Sequence, residues 1–130
     1  MTVAEAQKIR SFTDLRGWQE GHKLVLMVYR VTENFPQKEN FALTNQMRRA
    51  VVSITSNIAE GFSRFSSKEK HQFYSIAQGS LTELQNQLLI SRDIGYLGEG
   101  DFKEIAEQTV SVNKLLNGLK RVKLIPNTSY

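Results

Sequence analysis

Two histidines, scattered serines and one glycine-rich turn are the groups in this 130-residue chain from which chemistry could be built. A carboxylate-bundle metal site needs Glu-x-x-His on two helices. Here the residues three before His22 and His71 are Gln19 and Lys68, so neither pattern is met. His22 falls on an apolar stripe beside Trp18, where a core-edge histidine with one hydrogen-bond partner is the simpler reading. No serine has the Gly-x-Ser-x-Gly flanks of a nucleophile elbow. The run Gly95–Gly100 holds three glycines, but not at phosphate-loop spacing and with no Gly-Lys-Ser/Thr after it. The expectation is a non-enzymatic protein with no metal and no cofactor.

The residues around Leu43–Arg64 (LTNQMRRAVVSITSNIAEGFSR) are the other candidates. Met47, Ala50, Val51, Ile54 and Ile58 recur at helical spacing. Arg49, Ser53, Ser56, Asn57 and Glu60 lie on a different side. That polar stripe has two readings. Ser53 and Asn57 fix helix register in a packed interface, or Arg49 and Glu60 line a binding groove. Arg48, Arg49, Arg64, Lys68, Lys70 and His71 flank this helix and the turn after it, and the first five are the candidate nucleic-acid contacts. Lys114, Lys120, Arg121 and Lys123 form a later cluster, expected at the opposite end of the molecule and so as a separate patch. The bland alternative is solvated helix ends, the later cluster complementing a helix dipole. No aromatic residue is expected to interleave with these cations as a base-stacking platform.

Four amphipathic helices must position these groups. Thr13 or Asp14 caps the first, which is expected to run to about Phe35 before Pro36 stops it. It carries two stripes: Leu15, Trp18, His22, Val25, Tyr29 and Thr32, and, about 100° around the axis, Leu24, Val28, Val31 and Phe35. The second helix follows, with Thr44 or a neighbour as its cap. Ser66 with Glu69 has capping-box spacing and opens the third helix, whose core stripe is Phe73, Ala77, Ser80, Leu81, Leu84, Leu88 and Ile94. Gly95 suits a left-handed closing residue. Asp101 with Glu104 repeats the capping signal for the fourth helix, whose seam is Phe102, Ile105, Thr109, Val112, Leu116 and Leu119. No stretch alternates with period two, so no sheet is expected. Short connections make neighbours antiparallel. The fold expected is all-α, an antiparallel up-down-up-down four-helix bundle over residues 13–124, with flexible segments at 1–12 and 125–130.

Composition sets outer limits. The 40% apolar and 23% charged fractions are those of a globular domain, and 130 residues suit one domain. Without cysteine there are no disulfides or thiolate sites. The first 15 residues contain no signal-like apolar run and no stretch reaches membrane-span length. A cytoplasmic protein that does not enter membranes is the expectation. A net charge of +4 and a pI of about 9.5 permit an anionic partner.

The block Leu43, Gln46, Arg48–Arg49–Ala50, Ser53, Ile54 and Asn57–Ile58–Ala59–Glu60–Gly61 resembles the four-helix-bundle proteins encoded in intervening sequences of large-subunit ribosomal RNA genes. These are related to the accessory variability protein of diversity-generating retroelements. The resemblance extends upstream through Leu15, Trp18, His22, Val25, Tyr29 and Phe35–Pro36. Downstream it takes in Phe73, Ala77, Gly79–Ser80, Glu83–Leu84 and Gly95–Tyr96. It implies a ring, a homopentamer, in which five copies of +4 carry about +20. It also implies RNA or DNA, and a reverse transcriptase, as partners. A ring gives the second stripe of the first helix a use. Leu24, Val28, Val31 and Phe35, with Leu89 and Ile90, are expected to meet a neighbouring subunit, alongside Ser53, Asn57 and Glu60. The competing expectation is a scaffold that binds only protein.

Overall fold

The computed structural model describes residues 9–122. Four helices form: α1 (Arg16–Thr32), α2 (Leu43–Ser63), α3 (Ser67–Asp93) and α4 (Glu99–Arg121). Single 3₁₀ turns at Phe12–Asp14 and Gln37–Glu39 precede α1 and α2. No strand occurs among the described residues. α1 packs on α2 and α4, and α3 packs on the same two, so the four run in sequence order around one core. This is the expected antiparallel up-down-up-down bundle. Of the flexible segment expected at 1–12, residues 1–8 lie outside the described residues, as do the tail 125–130 and positions 123 and 124 of the expected bundle.

The core is built from one arc of each helix. Leu24 and Val28 of α1, Met47, Val51, Ile54 and Ile58 of α2, Leu81, Leu84 and Leu88 of α3, and Ile105, Val112 and Leu116 of α4 are all essentially solvent-free. The second stripe of α1 is therefore the core stripe. Leu24 and Val28 are closed off by their own chain, and Phe35 folds back to pack on Tyr96, the rings tilted at 52° with centroids 5.3 Å apart. These three do not await cover from another copy, which corrects their assignment to a subunit interface. A bundle helix faces two neighbours and a centre, so its buried arc is wide. The surplus lies on the first stripe, where His22 and Tyr29 are exposed. On α3 the buried aromatic is Tyr74 rather than Phe73, and Ile94 is exposed.

The helix starts divide between those read correctly and those misplaced. Ser66 caps α3 as expected, its hydroxyl accepting from the Glu69 N–H at 3.1 Å. Thr44 does not cap α2. It lies inside the helix, buried, while Ala42 holds the cap position. α4 begins at Glu99, two residues before Asp101, which sits in its first turn. The capping box at the N-terminus belongs to Ser11 and Asp14 and closes the 3₁₀ turn. Residues 9–12 are accordingly fixed rather than loose: Ile9 packs on the core and Phe12 meets Trp18 edge-on at 5.4 Å. Gly95 ends α3 with φ +87°, the left-handed conformation expected of it.

Candidate nucleic-acid interface

The block Asn57–Gly61 acts first in packing. The Asn57 amide donates to the Ser53 carbonyl at 2.8 Å and contacts the Ser53 hydroxyl at 3.1 Å. That hydroxyl shares a 2.8 Å hydrogen bond with Ser80 of α3. Four residues on, a Cβ at Gly61 would sit 2.7 Å from the Tyr74 ring. Small residues thus bring α2 and α3 close along this seam, with the polar pair satisfied between them. Ser53 and Asn57 are half-buried inside the chain, and Glu60 pairs with Arg64 at 3.0 Å on the surface.

The five predicted cationic contacts do not form one site. Arg48 donates to the Thr32 hydroxyl at 3.0 Å and lies over the Tyr29 ring at 4.6 Å, tying α2 to α1. Arg49 is exposed and edges an open groove of about 710 Å³ with Ser53, Ser56, Ser80 and Glu83. Arg64 lies fifteen residues further along the helix, about 22 Å at helical rise. Besides Glu60 it covers the Phe73 ring at 4.7 Å. Lys68 is exposed on the first turn of α3. Lys70 is committed elsewhere: its ammonium donates to the carbonyls of Phe62 at 2.8 Å and Gly61 at 3.2 Å. Both carbonyls lie in the last turn of α2, where the Gly61 one also takes the Arg64 N–H at 3.2 Å, so Lys70 ties down that helix end. Partial burial lowers its pKa below the ordinary lysine value.

Arg64–Lys70 and the late cluster share one end of the bundle, which overturns the expectation of two separate patches. Four antiparallel helices return the chain to the end at which it began, the end that carries the α2–α3 turn. The contacts show it directly. Lys120 donates to the Gln78 side-chain oxygen at 2.7 Å, and the Gln78 amide donates to Asn117 at 2.6 Å and Asn113 at 3.0 Å. His71, Asn117, Lys120 and Arg121 border a shallow depression of about 380 Å³. Within two turns of this end lie nine cations: Arg10, Arg16, Lys23, Arg64, Lys68, Lys70, Lys114, Lys120 and Arg121. The acids there are Asp14, Glu20, Glu60 and Glu69. At the other end six cations (Arg30, Lys38, Arg48, Arg49, Arg92, Lys103) meet six acids (Glu33, Glu39, Asp93, Glu99, Asp101, Glu104). Glu83 and Glu107 lie between the two ends. The excess among the described residues is therefore at one end, where the two basic clusters read from the sequence, His71 included, come together. The signal for grouping them was the even number of helices.

A model of the 23S rRNA-intervening sequence protein family matches residues 13–118. The chain belongs to that family. Among solved structures it is similar to a protein of unknown function from the S23 ribosomal protein family of Bacteroides thetaiotaomicron. That match has a TM-score of 0.74 and 19% identity, over 82% of this chain and 96% of that one. At that identity the likeness shows the shared bundle fold. No curated protein matches the chain. No helix among the described residues is long and apolar enough to cross a membrane, and no group of three potential metal ligands occurs among them.

Proposed function

We propose that this family member is a non-enzymatic, cytoplasmic accessory or adaptor protein that assembles with copies of itself and holds RNA or DNA phosphates against its basic end. The observation that carries the reading is the concentration of the net positive charge around the α2–α3 turn and the end of α4. Contacts of this kind are phosphate-directed, so binding is salt-dependent and weakly sequence-specific. A homopentamer, implied by the resemblance at Leu43–Arg64, would repeat the basic end five times and raise avidity. A reverse transcriptase as protein partner rests on that resemblance alone.

Self-assembly draws on exposed apolar side chains. Leu26, Tyr29 and Val52 lie on the α1–α2 side, and Leu89, Ile90 and Val110 on α3 and α4. Of the proposed interface residues, Leu89 and Ile90 are 43% and 42% exposed and Val31 is half-buried, so all three remain available. The same surface supports the second reading, a scaffold for proteins only. A mobility-shift titration at low and moderate salt, with light scattering on the same sample, decides. Binding that weakens steeply with salt supports the first reading; an oligomer that shifts no oligonucleotide at low salt supports the second.

A further inference from the structure

Seven phenylalanines occur in the chain, and five of them are buried or half-buried. The two that stand in water are Phe65, 86% exposed in the α2–α3 turn, and Phe41, 96% exposed in the connection before α2. They are at opposite ends of the bundle and have opposite surroundings. Phe41 belongs to the end where charges cancel. Phe65 follows Arg64, precedes Lys68 by one turn, and shares its end with Lys120 and Arg121. We propose that Phe65 is a stacking platform for an unpaired base of a single-stranded polynucleotide whose phosphates lie along the basic end. The proposal rests on the phosphate-binding reading above and names the form of nucleic acid.

The turn is built to hold a ring outward. Arg64 and Ser66 on either side are extended, with φ/ψ of −82°/152° and −94°/148°. Ser66 is locked as the cap of α3, and the Lys70 ammonium is tied to the carbonyls of Gly61 and Phe62 across the turn. The ring thus projects from a fastened loop rather than a loose one, which limits the entropy lost when a base settles on it. Every base has a π-face, so such a platform tolerates any sequence. A duplex keeps those faces inside its own stack. Cations beside an exposed aromatic ring therefore select a single strand over a duplex.

The test is fluorescence anisotropy with a dye-labelled mixed-sequence 12-nucleotide RNA, its DNA counterpart and the matching duplexes. Wild type is compared with Phe65→Ala, Phe65→Trp, Phe41→Ala and Lys68→Ala/Arg121→Ala, all at matched mass by light scattering. The expected result is single strands bound more tightly than duplexes, with Phe65→Ala weakening single-strand binding about five- to one-hundred-fold. Phe65→Trp retains binding, Phe41→Ala leaves it unchanged, and duplex binding is indifferent to residue 65. If Lys68→Ala/Arg121→Ala weakens binding while Phe65→Ala does not, stacking is wrong and the phosphate reading stands. If Phe65→Ala instead lowers the oligomer mass, the ring is seated in another copy and the proposal is overturned. If wild type binds no oligonucleotide at low salt, both readings fall.

Discussion

The two ends of the bundle are closed by similar devices but differ in charge. At the basic end, Gly61 in the last turn of α2 gives room to the Tyr74 ring, and Lys70 binds the carbonyls of Gly61 and Phe62. At the other end α3 stops at left-handed Gly95, and the Tyr96 hydroxyl donates to the Glu39 carboxylate at 2.9 Å, joining two connections. Each end also presents one exposed phenylalanine. The ends differ in net charge. Near the balanced end Arg48 and Arg92 lie over Tyr29 and Phe102, and Arg92 also pairs with Asp93. At the basic end Arg64, Lys70 and Lys120 are engaged in the same way. Each end keeps exposed cations, Lys68, Lys114 and Arg121 at the basic one and Arg30, Lys38, Arg49 and Lys103 at the other, but only at the basic end do they outnumber the acids. Equal architecture with unequal charge separates what the fold needs from what is left over for a partner.

Four expected outcomes sharpen or break that comparison. The largest concerns the core both ends share: Leu24→Ala should lower unfolding free energy by about 2–5 kcal/mol. It should leave the oligomer mass per folded chain unchanged, whereas Leu89→Ser/Ile90→Ser should lower that mass with little loss of stability. Denaturant titration and light scattering check both. Next come the two closing glycines. Gly61→Ala drives a methyl into a packed ring and should cost about 1–3 kcal/mol. Gly95→Ala meets nothing within 4 Å, and its cost is the left-handed backbone alone, about 1–2 kcal/mol. Third, the neighbours Lys70 and Lys68 should separate by role. Lys70→Ala should lower stability by about 1 kcal/mol, the scale of a lost hydrogen bond, while Lys68→Ala should show only in oligonucleotide binding.

The smallest effects are the pH responses of two contacts, one at each end, which are opposite in sign. The Asp14 carboxyl is held below its ordinary value, first by the Arg10 N–H and then by the Ser11 N–H. Its contribution is complete above the ordinary carboxylate range and is lost as pH falls through its lower folded value. The Tyr96 phenol is raised, chiefly by its hydrogen bond to Glu39. Its contribution is present below the ordinary phenol range and is lost as pH rises through its higher folded value. Acid should loosen the Asp14 turn, and alkali the Tyr96–Glu39 contact. The Asp14 carboxyl-carbon shift, and the tyrosinate absorbance of wild type minus Tyr96→Phe, report the two.

Helix number, helix extent and the α2 and α4 seams were legible because strong 3.6-residue periodicity survives any packing arrangement. The phase of α1 was not. Two apolar stripes 100° apart fit a helix wedged between two neighbours as well as one shared with another subunit, and only the packing shows Leu24 and Val28 inside. Thr44 and Asp101 were misread because a capping side chain and an ordinary first-turn residue share composition. Ser66, whose hydroxyl reaches the Glu69 N–H, was read correctly. The basic residues were found individually, but their grouping depended on chain direction and not on spacing. Phe65 carried no signal of its own. An isolated phenylalanine beside a helix end can fold back onto the core, as Phe35 does, or stand clear.

The most direct test of the account exchanges charge at the two ends in turn. Lys68→Glu/Lys114→Glu/Arg121→Glu and Arg30→Glu/Lys38→Glu/Lys103→Glu change the net charge equally, and all six residues are exposed. Affinity for the 12-nucleotide RNA is then followed from low to moderate salt. The basic-end variant should lose most of its binding, with the logarithmic salt slope reduced by about two, the amount for three phosphate contacts on a single strand. The other variant should keep nearly the wild-type slope, shifted slightly by long-range charge. Equal losses from both variants would mean that net charge alone, and not the basic end, holds the nucleic acid, and would contradict the account.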